Sequence, residues 1–383
     1  MQKKLLRIYI VAFLTGTNLS IVMLSIPLYS IDRFQATSFQ LGILGFLLNL
    51  AYSLNTFLTG KTGLKNKRIH LIKISLITIS FLFLSFLILR TFPLVVFFFA
   101  LYGLFQAWVW PVLQFSLASF TSEDLSRILG TYNISWAMGN IIGTTLAGWL
   151  YQQHYSLPFL TASLFSVISY LLICNLSIRV PEKAIKKESF SLSHPYYLKI
   201  ARLFNFLNFM ILGAMLFLFP KLGKNYNFSP SFIGLILSSL FLGRAVFFFL
   251  WRILSFWKYR FSVLFLCPFV SLFSLITIGL THTPLFLVLS FLLIAFSVTL
   301  TFSSSLLASI DQKTGKTITS EINESIIGAG LFLGPLVGGV ISRYIPLPYT
   351  FLSLIPFLIA GEIAGGFILL ARYRKMRKCG ESA

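Results

Sequence analysis

Acidic side chains are nearly missing from this chain: ten Asp and Glu stand against 31 Lys and Arg among 383 residues. Charged residues of both signs make up only 11% of the sequence, where a water-soluble domain carries about 25%. That shortage excludes a large soluble core. There are four histidines, His70, His154, His194 and His282, and three scattered cysteines, Cys174, Cys267 and Cys379. Neither set has the spacing of a metal or redox site, and a disulfide framework is not expected. No Gly-x-x-x-x-Gly-Lys-Ser/Thr loop occurs, so ATP is not a direct energy source. No cofactor and no metal is expected. The net charge of +21 forms no continuous basic stripe, and nucleic acid is not an expected partner.

What is abundant is apolar length. Hydrophobic residues make up 57% of the chain, with 42 phenylalanines, most of them expected to face lipid or pack helices. About 20 mostly apolar residues cross a hydrocarbon core of ~30 Å as a helix. Such stretches fall at 8–30, 39–60, 70–90, 94–118, 130–152, 157–177, 201–221, 229–251, 260–280, 284–308, 319–342 and 348–371. The basic start and the long first apolar run imitate a signal peptide, but no small-residue cleavage site follows a short core, so it reads as an uncleaved first span. The expectation is an all-α integral membrane protein of twelve transmembrane helices.

Charge placement predicts the topology. Of the 31 Lys and Arg, 25 fall at the chain ends or in alternate gaps assigned to the cytoplasm, and five (Arg33, Arg90, Lys221, Lys224, Arg343) in the other gaps. Positive charge collects on the cytoplasmic side. Both termini are therefore expected inside a plasma or inner membrane, with anionic headgroups as neighbours.

The two halves resemble each other. Ser38-Phe39-Gln40-Leu41-Gly42 opens the second span and Ser231-Phe232-Ile233-Gly234 the eighth. Gly42, Gly139, Gly143 and Gly148 recur as Gly234, Gly330, Gly334 and Gly339, at offsets of 192, 191, 191 and 191 residues. A constant offset across separate helices implies two parallel repeats. The expected division is a six-helix bundle at 1–177, a polar cytoplasmic linker at 178–200, and a second six-helix bundle with a short basic tail at 201–383, the two bundles pseudo-symmetric.

Several stretches resemble the major facilitator superfamily over essentially the whole length. Tyr102-Gly103-Leu104-Phe105-Gln106-Ala107-Trp108-Val109-Trp110-Pro111 is similar to its fourth helix. Gly139-Asn140-Ile141-Ile142-Gly143-Thr144-Thr145-Leu146-Ala147-Gly148 is similar to its fifth, and Gly330 to Gly339 to its eleventh. The loop motif after the second helix is degraded: Gly60, Lys65 and Arg68 are kept, but Leu64 stands in the place of the acid and Lys67 in that of the second glycine. Thr144 replaces a proline common in antiporters. The resemblance implies a monomeric secondary transporter, not an enzyme. In it two lobes rock about a small solute, with the first, fourth, seventh and tenth helices lining the cavity.

Ionisable groups at membrane depth are expensive and tend to serve function. Away from the span ends, Glu324 and Glu362 are the acids and Arg244 is the one base. Glu324 is the first choice for a proton-coupling group and Glu362 the second. Arg244 and Glu324 differ in depth by only ~5 Å at 1.5 Å per residue, and the resemblance implies that the eighth and eleventh helices are neighbours. The two side chains are expected to face each other, as a switchable pair or a permanent one, the alternative being that Arg244 reaches toward the interface. Gln106, Trp110 and Gln114 form one stripe at i, i+4 and i+8. Asn133, Trp136 and Asn140 form another, and Asn18 and Asn208 stand in the first and seventh spans. All are candidates to line the cavity, with interhelical hydrogen bonding as the alternative. Gly139, Gly143, Gly148, Gly330, Gly334, Gly338 and Gly339 read as close-packing positions at a moving interface, with Pro335 bending its helix. Proton-coupled efflux of a drug or metabolite is the leading reading. Nutrient uptake or uniport, a transporter-like membrane sensor, and a membrane enzyme are the alternatives.

Overall fold

A computed structural model describes residues 2–61, 68–117, 125–174, 194–311 and 318–378. All of the regular structure in these residues is helical. The first repeat comprises α1 (Gln2–Phe34), α2 (Ser38–Lys61), α3 (Arg68–Ser85), α4 (Phe92–Leu117), α5 (Leu125–Gln153) and α6 (Leu157–Cys174). The second comprises α7 (His194–Asn225), α8 (Pro230–Ile253), α9 (Phe261–Leu280), α10 (Pro284–Asp311), α11 (Ile318–Ile341), α12 (Leu347–Leu352) and α13 (Ile355–Lys378). Ten helical segments are long and apolar enough to cross a membrane. The 18-residue α3 and the glycine-rich α5 complete twelve crossings.

Three boundaries differ from the sequence expectation. Helix α7 begins at His194, so the last seven residues counted with the linker are helical. Pro195 at its first turn lacks only an N–H that would have had no intrahelical acceptor. The final crossing is broken between Leu352 and Ile355, where Pro356 cannot donate back to the preceding turn. It then runs on to Lys378, so most of the basic tail is helical. The rest of the linker, residues 178–193, lies outside the described residues, as does Lys65.

The repeat is visible in the turns. Thr37 and Gln40 cap α2 reciprocally: Thr37 N–H donates to Gln40 Oε1 at 2.8 Å and Gln40 N–H to Thr37 Oγ1 at 3.3 Å, a capping box. The equivalent residue Ser229 caps α8 by accepting from Phe232 N–H at 3.2 Å. Just before each cap a non-glycine residue takes the left-handed conformation, Gln35 at φ 52° and Asn227 at φ 60°. The same turn chemistry, repeated at the same offset, reverses the chain in both halves.

Within the first bundle α1 packs on α5 and α6, and α4 on α2 and α3; within the second, α7 packs on α11 and α10, and α10 on α8 and α9. The bundles meet along two seams, α2 on α11 and α5 on α8. Glycines make both seams. A Cβ on Gly42 would fall 2.5 Å from the Pro335 carbonyl, and one on Gly234 would fall 2.7 Å from the Thr144 carbonyl. Gly148 meets Pro230 and Ser231, as Gly339 meets Ser38 and Phe39. Exchanging the repeats carries one seam onto the other, which is the pseudo-twofold relation the offsets imply.

The remaining predicted glycines divide from these. Gly139 and Gly143 lie against Phe13 and Thr17 of α1, and Gly330 and Gly334 against Phe206 and Met210 of α7. Gly338 lies against Leu218. These five hold helices together inside a bundle rather than at the seam between bundles, a correction to the single moving interface expected for all of them.

Candidate functional site

Helical register separates lipid-facing from inward-facing side chains. On α8, Leu235, Leu242, Val246, Phe249 and Ile253 are exposed along one stripe. Arg244 lies two residues from both Leu242 and Val246, about 200° round the helix, so it points away from that stripe. On α5 the exposed stripe holds Ile134, Met138, Ile142 and Trp149. Asn133 stands nine residues before Ile142, two and a half turns away and so on the opposite face, yet it too is exposed. On α4, Tyr102, Gln106 and Trp110 share one inward face at i, i+4 and i+8.

An aromatic belt crosses from one bundle to the other at this level. Trp110 of α4 meets Trp136 of α5 edge-to-face at 6.3 Å, and Trp136 meets Phe248 of α8 at 6.3 Å. Phe248 meets Phe302 of α10 at 5.8 Å, and Phe302 meets Phe209 of α7 at 6.3 Å. Trp136 Nε1–H donates to Asn133 Oδ1 at 3.1 Å, which fixes the indole. The Arg244 guanidinium lies over the rings of Trp136 (5.5 Å) and Phe248 (5.9 Å). Its Nε has no hydrogen-bond partner.

The second polar centre surrounds Glu324 on α11. Val340, the exposed residue of this helix, is sixteen residues on and about 160° round it, so Glu324 turns inward. Tyr52 of α2 and Tyr132 of α5 lie within electrostatic reach of its carboxyl, and Tyr102 within reach of Tyr52. The hydroxyls of Tyr102 and Tyr132 and Nε2 of Gln106 have no protein partner. A buried donor left unpaired costs about 1–3 kcal/mol, so these groups are available to a solute or to water.

The expected Arg244–Glu324 pair is not present. Helix α8 packs on α5 and α10, whereas α11 packs on α2 and α7, so the two helices are not neighbours. Similar depth therefore did not bring the side chains together. Both approach α5, but one turn apart, at Trp136 and Tyr132. Among the described residues the one ion pair is Lys224–Asp32.

Other predicted residues are placed elsewhere than the cavity. Asn208 accepts from Ser271 Oγ at 2.5 Å and donates to Thr301 Oγ1 at 3.4 Å, tying α7 to α9 and α10. Asn18 donates to Ser166 Oγ of α6 at 2.9 Å. Asn140 accepts from Ser20 Oγ of α1 at 2.9 Å. These three asparagines bolt helices within a bundle. Glu362 is half-buried on α13, with the thiol of Cys267 on α9 in its electrostatic field, away from Glu324 and Arg244. Cys267 and Cys174 are free thiols. Gln114 and Arg68 sit in α4 and α3, but their side chains lie outside the described residues. The sequence reading missed Phe248, Phe302 and Phe209, because 42 phenylalanines gave no contrast. It also missed Tyr52, Tyr102 and Tyr132, although the i, i+4 step from Tyr102 to Gln106 was there to extend the stripe.

The comparisons with known proteins agree with this architecture. The Major Facilitator Superfamily model matches residues 8–204. No curated protein matches in sequence. Among solved structures, the nucleoside transporter NupG is 16% identical, with 96% of this chain and 99% of that one covered and a TM-score of 0.72. A bacterial homologue of the human lysosomal transporter Spinster, inward-facing and unoccupied, is 12% identical over 96% and 97%, with a TM-score of 0.74. The human organic anion transporter MFSD10 (TETRAN) is 14% identical over 95% and 99%, with a TM-score of 0.64. At these identities the likeness is one of fold. With its family model matched over more than half the length and its two pseudo-symmetric bundles, the chain belongs to the major facilitator superfamily and is a multi-pass secondary transporter of a small solute.

Proposed function

We propose that this transporter couples solute movement to protons through Glu324. One observation carries the reading: an acid at membrane depth, on the inward face of α11, with no ion-pair partner among the described residues and with Tyr52 and Tyr132 beside it. A carboxyl that is neither paired nor in bulk water can change protonation as access alternates between the two sides. A permanently paired one would resist this. The lobes rock along the α2–α11 and α5–α8 seams, and the termini face the cytoplasm.

The aromatic belt favours export of a drug or metabolite with a flat apolar body over uptake of a sugar. Stacked indole and phenyl rings suit a ring system, and a polyol would need more hydrogen-bonding side chains than Asn133 and Gln106 supply.

The test is transport in proteoliposomes with an imposed pH gradient. Glu324→Gln is expected to abolish pH-driven accumulation and leave solute exchange measurable. Accumulation equal to that of the unaltered protein would remove Glu324 from the mechanism.

A further inference from the structure

We infer that Arg244 is the anchor for an anionic solute, an aryl carboxylate held with its carboxylate on the guanidinium edge and its ring in the aromatic belt. The inference rests on the transport reading for its biological meaning, but on separate observations for its chemistry.

Arg244 stands on the inward face of a membrane-spanning helix without a counter-charge. Arginine keeps its proton in proteins, so the charge stays. The groups shown against it are aromatic, Trp136 on α5 and Phe248 on its own helix, and these are backed by neutral partners, Asn133 on the Trp136 indole and Phe302 of α10 on Phe248. Of the acids at depth, Glu324 of α11 lies in the electrostatic reach of Tyr52 on α2 and Tyr132 on α5, one turn from Trp136, and Glu362 belongs to the α9–α13 contact. None reaches Arg244, since Lys224–Asp32 is the one ion pair among the described residues. A charge at this depth is costly unless something compensates it.

The aromatic contacts satisfy only the faces of the guanidinium. Cation–π attraction acts perpendicular to the plane, whereas the N–H donors lie in it. The Nε donor is buried and unpaired. Nε and its neighbouring Nη form a fork that matches the two oxygens of a carboxylate. The acceptor must therefore arrive edge-on, between rings. An acid carrying an aromatic body fills both parts of the site at once: oxygens on the fork, ring against Trp110 and Trp136. A sugar offers no charge, and a bare inorganic anion leaves the rings unused.

The test measures binding apart from transport. Thermal unfolding of the purified protein in detergent, in a low-salt buffer free of carboxylates and halides, is followed with 2-naphthoate, with its neutral isostere 2-naphthamide, and with chloride. At about 100-fold above its Kd a ligand that binds only the folded state raises Tm by several degrees. 2-Naphthoate is expected to do so, and the amide and chloride are not. Arg244→Gln should weaken naphthoate binding about 10- to 100-fold, as loss of a charge-assisted fork implies. Arg244→Lys should fall between the two, because it keeps the charge and loses the fork. Equal shifts from acid and amide, or from naphthoate and chloride, would overturn the assignment whatever the variants do. Naphthoate binding without naphthoate flux in proteoliposomes would uphold the site while striking at the transport reading. Flux of an uncharged solute with no naphthoate binding would do the reverse.

Discussion

Asp32 and Lys224 are 192 residues apart, at equivalent positions of the two repeats, and they meet: Lys224 Nζ lies 3.0 Å from the Asp32 carboxylate. A residue that faces its own counterpart marks the pseudo-twofold axis. Two identical charges there would repel, so the meeting is possible because the repeats have diverged to opposite signs. Tyr151 adds a hydrogen bond to the same carboxylate at 3.2 Å. With Arg343 over the Phe39 ring, the pair closes the face opposite the chain ends.

Weakening this latch should shift the lobes apart on that face. The partners are partly exposed (Lys224 26%, Asp32 40%), so the pair contributes roughly 0.2–1 kcal/mol and Asp32→Asn should change the open-to-closed ratio by at most about fivefold. Spin labels on Ser38 and Ser342 would report it as a longer mean distance. The exchanged pair, Asp32→Lys with Lys224→Asp, should restore the original distribution. If Asp32→Asn leaves the distances unchanged, the pair holds nothing closed.

Glycines of the seams and glycines inside the bundles should fail differently. Gly42→Val and Gly234→Val push a side chain into the opposing lobe's main chain, so they should stop transport while each bundle stays folded, seen as monodisperse protein of near-normal Tm. Gly334→Val, which drives against Met210 inside a bundle, should cost about 1–3 kcal/mol of stability and lower Tm by several degrees. The same Tm loss in all three would erase the distinction between seam and bundle.

Since Arg244 and Glu324 share no partner, their losses should be independent. Stability changes of Arg244→Ala and Glu324→Ala are expected to add in the double variant to within about 0.3–0.5 kcal/mol. A double variant markedly more stable than that sum would mean that the two charges meet after all.

The buried asparagines should behave as bolts. Asn208→Ala removes its bonds to Ser271 and Thr301, and interhelical hydrogen bonds in membranes contribute about 0.6–2 kcal/mol. Tm should fall while the solute KM stays within about twofold. Asn133→Ala, by freeing the Trp136 indole, should instead raise KM with little change in Tm. The opposite pattern would exchange the two roles.

Much of the fold was legible because bilayer thickness imposes a length on every crossing and duplication leaves a fixed offset. Gly148 and Gly339 could be read as close-packing positions before their partners were known, whereas Gly42 and Gly234 stood out only as markers of the repeat. Partners were harder. Helix adjacency is not written in spacing: the pairing of Arg244 with Glu324 rested on their similar depths and on the resemblance, read as making the eighth and eleventh helices neighbours, which they are not. Asn208 and Gln106 are both amides at depth, and only rotation about their helices decides that one meets Ser271 and the other is left unpaired. The start of α7 was read late because His194-Pro195-Tyr196-Tyr197 looks polar beside the spans, although Pro195 is a helix-starting signal.

The seams also bear on how such a protein can change its cargo. Where α2 crosses α11 and α5 crosses α8, the closest approaches are those of glycines to main-chain carbonyls and Cα atoms, with the Phe46–Phe332 and Trp136–Phe248 ring contacts beside them. Main-chain contacts of that kind do not depend on neighbouring side chains, so Trp110 of α4 or Phe302 of α10, which lie off both crossings, could be exchanged for other rings while the seams keep their closest contacts. Selectivity can drift under selection while the moving parts stand still.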